Sequence, residues 1–227
     1  RADEKDIYAF DVNDNFSKTE INKVGTNGEE LWKDNVKVKG VVTNFEILPQ
    51  GLAIVSNTYN EGKSVFAGAS ESKIAMLSAT NGEDLWDKAP KTKGYVQHFY
   101  IMEDGILFGI QEGGINKVSY DGKTLFKKPL KTGENILTMA ETDQGLIYIT
   151  SEDANIVNMN TGEKVWDKPL KYKRADAISS TFDRKNNRYL ISADEQLYAV
   201  DAASGKVSDF AKTKFDGKEA PTSVAIR

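Results

Sequence analysis

The segment Asn158-Met-Asn-Thr-Gly162-Glu-Lys-Val-Trp166 places a polar turn ending in glycine four residues ahead of an aromatic, and it recurs along the chain. Gly28-Glu-Glu-Leu-Trp32, Gly82-Glu-Asp-Leu-Trp86 and Gly122-Lys-Thr-Leu-Phe126 repeat it. A decayed copy begins Ser204-Gly205-Lys206-Val207, with Asp209 in the aromatic position and Phe210 beside it. Successive glycines stand 54, 40, 40 and 43 residues apart. A period in this range marks an array of like supersecondary units. The longer first interval is read as an insertion near residues 57–72, an extended hairpin.

Around each copy the pattern is that of strands: short β-branched and aromatic runs, alternation with period two, and Gly, Asn or Asp at regular breaks. In the clearest unit the strands are expected at 136–141, 146–150, 155–159 and 164–170, with turns at Asp143-Gln-Gly145 and Asn160-Thr-Gly162. The same frame puts the first hairpins of other units at Pro49-Gln-Gly51, Glu103-Asp-Gly105 and residues 184–187. Four strands per unit of about 40 residues, with no helical period, predict an all-β chain folded as a β-propeller of about five blades. Blade repeats are expected to end near 36, 90, 130, 170 and 212 within a single domain spanning 1–227. Residues 6–12 read as a second strand with nothing before it, and 221–226 as a first strand with nothing after it. The C-terminal strand is therefore expected to complete the first blade, which removes an open sheet edge. A part of a larger propeller is the alternative.

Composition narrows the class. With 39% apolar residues and 30 basic against 34 acidic side chains, the chain is a globular one and not a disordered one. The apolar runs last about four residues, far short of the roughly 18 to 20 that a membrane-spanning helix needs. Cysteine is absent, which removes disulfides, thiolate nucleophiles and cysteine metal sites. The start at Arg1, with neither methionine nor an apolar leader, leads to the expectation of a processed or excised chain.

The segments Ala75-Met-Leu-Ser-Ala-Thr-Asn-Gly82-Glu-Asp-Leu-Trp86, Asn158-Met-Asn-Thr-Gly162-Glu-Lys-Val-Trp166 and Tyr198-Ala-Val-Asp-Ala-Ala-Ser-Gly205-Lys-Val resemble the PQQ-like repeat, with its aspartate-alanine-x-threonine-glycine turn and following tryptophan. Families built on that repeat include quinoprotein dehydrogenases and non-enzymatic scaffolds of the BamB type in outer-membrane assembly. The resemblance implies a propeller, WD40-like in architecture. In its BamB-like branch it implies a scaffold for protein–protein interaction in the periplasm or cell envelope. It carries over the structural repeat only. Ligands for a quinone-associated ion are not assignable, no cofactor is expected, and quinone-dependent dehydrogenation is not the expected activity.

Trp32, Trp86, Phe126 and Trp166 are read as packing residues on the outermost strands, wedging one blade against the next with the indole N–H free to reach a backbone carbonyl. His98 is the single histidine, expected on a first strand with a satisfied side chain. Phosphate-cradling, nucleophile-elbow and dinucleotide motifs are missing. Asp11-Val-Asn13-Asp14-Asn15 alternates oxygen ligands as a calcium loop does. Phe16 stands where glycine is wanted and Asn22 where a closing glutamate should be, so a polar hairpin turn is expected and no metal site. Glu46, Glu141 and Asp183 on first strands are the carboxylates available to an axial small-molecule or carbohydrate site, which is the alternative function.

Charge is segregated. Residues 33–39, 88–93, 127–131, 168–174 and 212–218 hold 16 of the 30 Lys and Arg with two Asp, a net charge of +14, against −18 for the rest. Each basic segment follows the aromatic and runs along the expected fourth strand. The candidate partner face is Lys37, Lys39, Lys91, Lys93, Lys131, Lys171, Lys173, Arg174, Lys212 and Lys214. Such lysines either keep exposed sheet edges from aggregating or steer a protein partner, an acidic one by charge. Overall acidity and the lack of exposed aromatic interleaving argue against nucleic acid.

Overall fold

Residues 6–59 and 71–212 are described by the structure, a computed structural model, and every regular element among them is a β-strand. Five antiparallel sheets follow one another along the chain. The first contains β1 (Asp6–Val12), β2 (Lys18–Gly25) and β3 (Val36–Lys39). The second is β4 (Val41–Leu48), β5 (Gly51–Thr58), β6 (Glu71–Ser78) and β7 (Lys91–Lys93). The third is β8 (Val96–Met102), β9 (Gly105–Ile110), β10 (Gly114–Ser119) and β11 (Leu130–Lys131). The fourth is β12 (Ile136–Thr142), β13 (Gly145–Thr150), β14 (Asp153–Val157) and β15 (Leu170–Lys171), and the fifth is β16 (Ile178–Asp183), β17 (Arg188–Ala193), β18 (Gln196–Asp201) and β19 (Val207–Lys212). Strand order in each sheet is sequence order. The chain divides into two compact units, residues 1–110 with 117–125, and residues 111–116 with 126–227.

Continuous apolar strands arise because a middle sheet is covered on both faces. In the first unit β5 turns Leu52 and Ile54 toward Tyr8, Ile21 and Trp32, and Ala53 and Val55 toward Met76, Trp86 and Phe108. Successive side chains point to opposite faces, so two cores demand apolar residues at every position. The second unit builds its core from Ile147, Ile149, Ala154 and Ile156 against Tyr189, Ile191 and Val200, with Trp166 among them.

Three expectations change. The fourth strand of the clearest unit is Leu170–Lys171 and not 164–170; ahead of Leu170 the segment makes one isolated bridge, Lys164 to Val157. The chain leaves the ladder there to turn Trp166 inward, so the aromatics precede the outer strands and do not lie on them. His98 does lie on the innermost strand of its sheet, but its Nε2 is buried with no hydrogen-bond partner among the described residues. Burial alone lowers its pKa, since charging a desolvated imidazole is unfavourable. The inner strands β4, β8 and β12 also each carry a bulge at the same register, between Val42 and Asn44, Val96 and His98, and Ile136 and Thr138. A bulge adds one residue to one strand and increases the local twist.

The first sheet has three strands among the described residues, and the expected closing strand 221–226 lies outside them, as does Lys214. Within the expected insertion β5 and β6 pair as far as Thr58 opposite Glu71, and residues 60–70 lie outside the described residues. The polar segment after β1 is a hairpin turn, where Asn13 Oδ1 accepts from the Ser17 and Lys18 amides at 3.0 Å each.

Candidate functional site: aromatic plugs and lysine-edged outer strands

From Gly82 onward, the glycine of a repeat turn lies beneath the aromatic of the preceding repeat. A Cβ added at Gly82 would meet Val36 at 2.4 Å and the Trp32 ring at 3.0 Å. At Gly122 it would meet Trp86 at 2.8 Å, at Gly162 Phe126 at 2.6 Å, and at Gly205 Trp166 at 2.6 Å. These four glycines have φ between +69° and +83°, a region open to glycine at little cost. Sequence local to the turn places them there: Gly162 N–H donates to Asn158 O at 2.9 Å and Asn158 N–H to Glu163 O at 2.8 Å, and the turns at Ser78 and Asp201 close the same way.

All four aromatics are at most 4% exposed. Each indole also finds an acceptor: Trp32 Nε1 donates to Ala79 O at 3.2 Å, Trp86 Nε1 to Tyr120 O at 2.8 Å and Trp166 Nε1 to Ala202 O at 2.8 Å. Trp166 is held in addition by Asn155, which is fully buried. Its Oδ1 accepts from the Trp166 amide and its Nδ2 donates to the Trp166 carbonyl, both at 3.1 Å. A single asparagine on β14 has no periodic signature, and only the folded contact identifies it.

The outer strands carry the lysines. On β3 Val38 is buried between exposed Lys37 and Lys39. Lys91, Lys93, Lys131, Lys171 and Lys212 are exposed on β7, β11, β15 and β19, and Lys173 and Arg174 just beyond β15. Neutralisation among them is uneven. Lys91 pairs with Glu71 at 3.4 Å, Lys212 with Glu195 at 3.2 Å, and Arg174 with Glu152 at 3.2 Å and Glu134 at 3.9 Å. The carboxylates that cancel part of this charge come from third strands and loops, which reading one segment at a time does not bring together.

The candidate axial carboxylates have separate surroundings. Asp183 ends β16 inside its hairpin, accepting from Asn186 Nδ2 at 2.7 Å and Arg188 Nε at 3.0 Å. Asn186 first, with Arg188, holds its carboxyl below the ordinary value of 3.8, so it serves the turn. Glu141 is exposed on β12, and Glu46 half-buried on β4. Among the described residues no group of three or more His, Asp or Glu is arranged to hold a metal ion. A residue the sequence pattern passed over is Lys117 on β10, 1% exposed, whose ammonium meets Asp104 at 2.5 Å.

Comparison with known proteins agrees with this geometry. Residues 111–208 match the family described as outer membrane protein assembly factor BamB. Against curated protein sequences the chain has no significant match. Among solved structures it is similar to the computationally designed Ika8 protein, at 12% identity and a TM-score of 0.62, covering 100% of this chain and 64% of that one. It is also similar to BamB from Moraxella catarrhalis, at 13% identity and a TM-score of 0.50, covering 97% of this chain and 64% of that one. The dihydro-heme d1 dehydrogenase NirN, in complex with DHE, resembles it at 14% identity and a TM-score of 0.54, over 90% of this chain and 44% of NirN. The chain thus spans less than two thirds of the length of each. An enzyme is among the proteins sharing the fold, so the fold does not assign an activity. Residues 111–208 thus resemble a PQQ-like repeat family, and the solved structures share the β-propeller fold of the chain.

Proposed function

We propose that the chain is a non-catalytic scaffold of the cell envelope that binds protein partners along the lysine-edged outer strands of its sheets. The observation that carries the reading is the division of labour on those strands: on β3 Val38 goes inward while Lys37 and Lys39 face solvent, and lysine recurs exposed on β7, β11, β15 and β19. Strand edges presenting one charge at repeated positions favour encounter with a complementary protein surface. The match of residues 111–208 to an outer membrane assembly factor supports both the scaffold role and an extracytoplasmic location. The competing reading, a small-molecule site built on first-strand carboxylates, is weakened because Asp183 is spent on its own hairpin.

Photo-crosslinking tests the scaffold. A benzophenone side chain replacing Lys93 or Lys171 should trap discrete protein adducts in an envelope extract, whereas the same group at Arg184, exposed in the β16–β17 hairpin, should not. Adducts of equal yield at all three positions, or at none, would overturn the reading.

A further inference from the structure

The aromatic plug and the glycine turn it covers form the two sides of a repeated junction, and the charge at that junction differs from repeat to repeat. One side is the five residues after the aromatic; the other runs from the residue before the glycine to two residues after it. Residues 33–37 with 81–84 carry −1, and 87–91 with 121–124 carry +1. Residues 127–131 with 161–164 carry +3, and 167–171 with 204–207 carry +2. The third junction stands out because Lys127-Lys128 follows Phe126, where Trp32, Trp86 and Trp166 are each followed by an aspartate in one of those two positions.

Folding turns this junction into an open cleft of about 750 Å³ lined by residues 127–131 and 161–164, all within one compact unit. Lys127, Lys128, Lys131 and Lys164 are exposed, and none of them takes part in the ion pairs found among the described residues. At other junctions carboxylates are engaged: Lys73 meets Asp84 at 3.0 Å and Lys123 meets Asp121 at 2.6 Å. The walls are fixed. Phe126, 2% exposed, lies against Gly162, the turn behind it is closed by backbone hydrogen bonds, and β11 pairs with β10 at Gly114 and Ile115. Pro129 and Leu130 put apolar surface between the lysines.

We propose that this cleft seats a short acidic peptide segment of a partner protein, its carboxylates neutralising Lys127, Lys128, Lys131 and Lys164 and its apolar side chains resting on Pro129 and Leu130. The inference rests on the scaffold reading and gives its partner a chemistry. A peptide fits better than a nucleic acid. The nine lining residues include no aromatic on which a base could stack, and a long polyanion would also meet the acidic remainder of the chain. A peptide also fits better than an inorganic anion, which would fill only a corner of such a volume.

Fluorescence anisotropy tests it, with the intact chain and a short labelled peptide of alternating glutamate and leucine. Binding should be saturable and weaken steadily as sodium chloride is raised. Lys128→Glu combined with Lys131→Glu should lose at least about tenfold in affinity, since two attractive charges become repulsive. The matched Lys128→Arg and Lys131→Arg pair should retain it, as should Lys88→Glu with Lys123→Glu, both exposed at the second junction. Circular dichroism of each variant shows that the fold is kept. Absence of binding, equal loss at both junctions, or displacement by inorganic phosphate or an oligothymidylate of equal charge at no higher concentration would overturn the proposal. Failure here leaves the crosslinks at Lys93 and Lys171 untouched, so the two readings fail separately.

Discussion

At the scale of single residues the glycines carry the sharpest consequence. Gly162 and Gly28 hold the same place in their repeats and share a positive φ, yet only Gly162 has an aromatic against it; a Cβ at Gly28 meets nothing among the described residues within 4 Å. Gly28→Ala should therefore cost only the left-handed backbone penalty, roughly 1 to 2 kcal/mol. Gly162→Ala adds an overlap with the buried Phe126 ring, for roughly 2 to 5 kcal/mol in all. Urea midpoints of the two variants check the order, and equal losses would show that the ring contact contributes nothing. Both glycines are plain in the sequence; which one is covered is not, because the covering side chain belongs to another repeat.

Elements meet through side chains that reach from one strand to the next connection. Thr19 on β2 donates its hydroxyl to Gly40 O at 2.8 Å and accepts from the Val42 amide at 3.1 Å. One sheet later Ser72 on β6 does the same with Gly94 O at 2.7 Å and the Val96 amide at 3.1 Å. These buried hydroxyls anchor the crossing from each outer strand to the next inner one. Thr19→Val keeps the shape and strands a buried carbonyl and amide, so it should destabilise by about 1 to 3 kcal/mol, with faster hydrogen exchange confined to the connection around Gly40. Unchanged exchange there would refute the anchoring role. Strand identity was legible from alternation and turns, since a residue's neighbours along the chain decide it. The bulges of β4, β8 and β12 were not, because an extra residue in a strand is defined only by the partner it fails to face.

For the molecule as a whole, acid should act through turn aspartates. Asp121 is pulled down to about 2, first by Lys123 and then by Ser119. Asp201 lies below its ordinary value through Ser204, and Asp183 through Asn186 and Arg188. A carboxyl depressed in the folded state stabilises it fully above the ordinary value of 3.8, and that contribution disappears as pH falls through the folded pKa. The urea midpoint should hold steady near neutrality and decline below about pH 4. Asp183→Asn with Asp201→Asn should lower the neutral midpoint and flatten the decline, while an identical slope in wild type and variant would exclude these carboxyls as its source.

Residue order was enough to establish the repeat, the all-β class, the hairpin turns and the segregation of lysine onto the outer segments. All of these are functions of residue order, and period and turn chemistry act over a few neighbours. Tertiary structure alone decided which aromatic covers which glycine, that Asn155 brackets Trp166, and which lysines meet a carboxylate. It also decided that the third junction opens into a cleft whose lysines are unneutralised. Those outcomes depend on distances between segments about 40 residues apart, and packing sets such distances where local preference cannot.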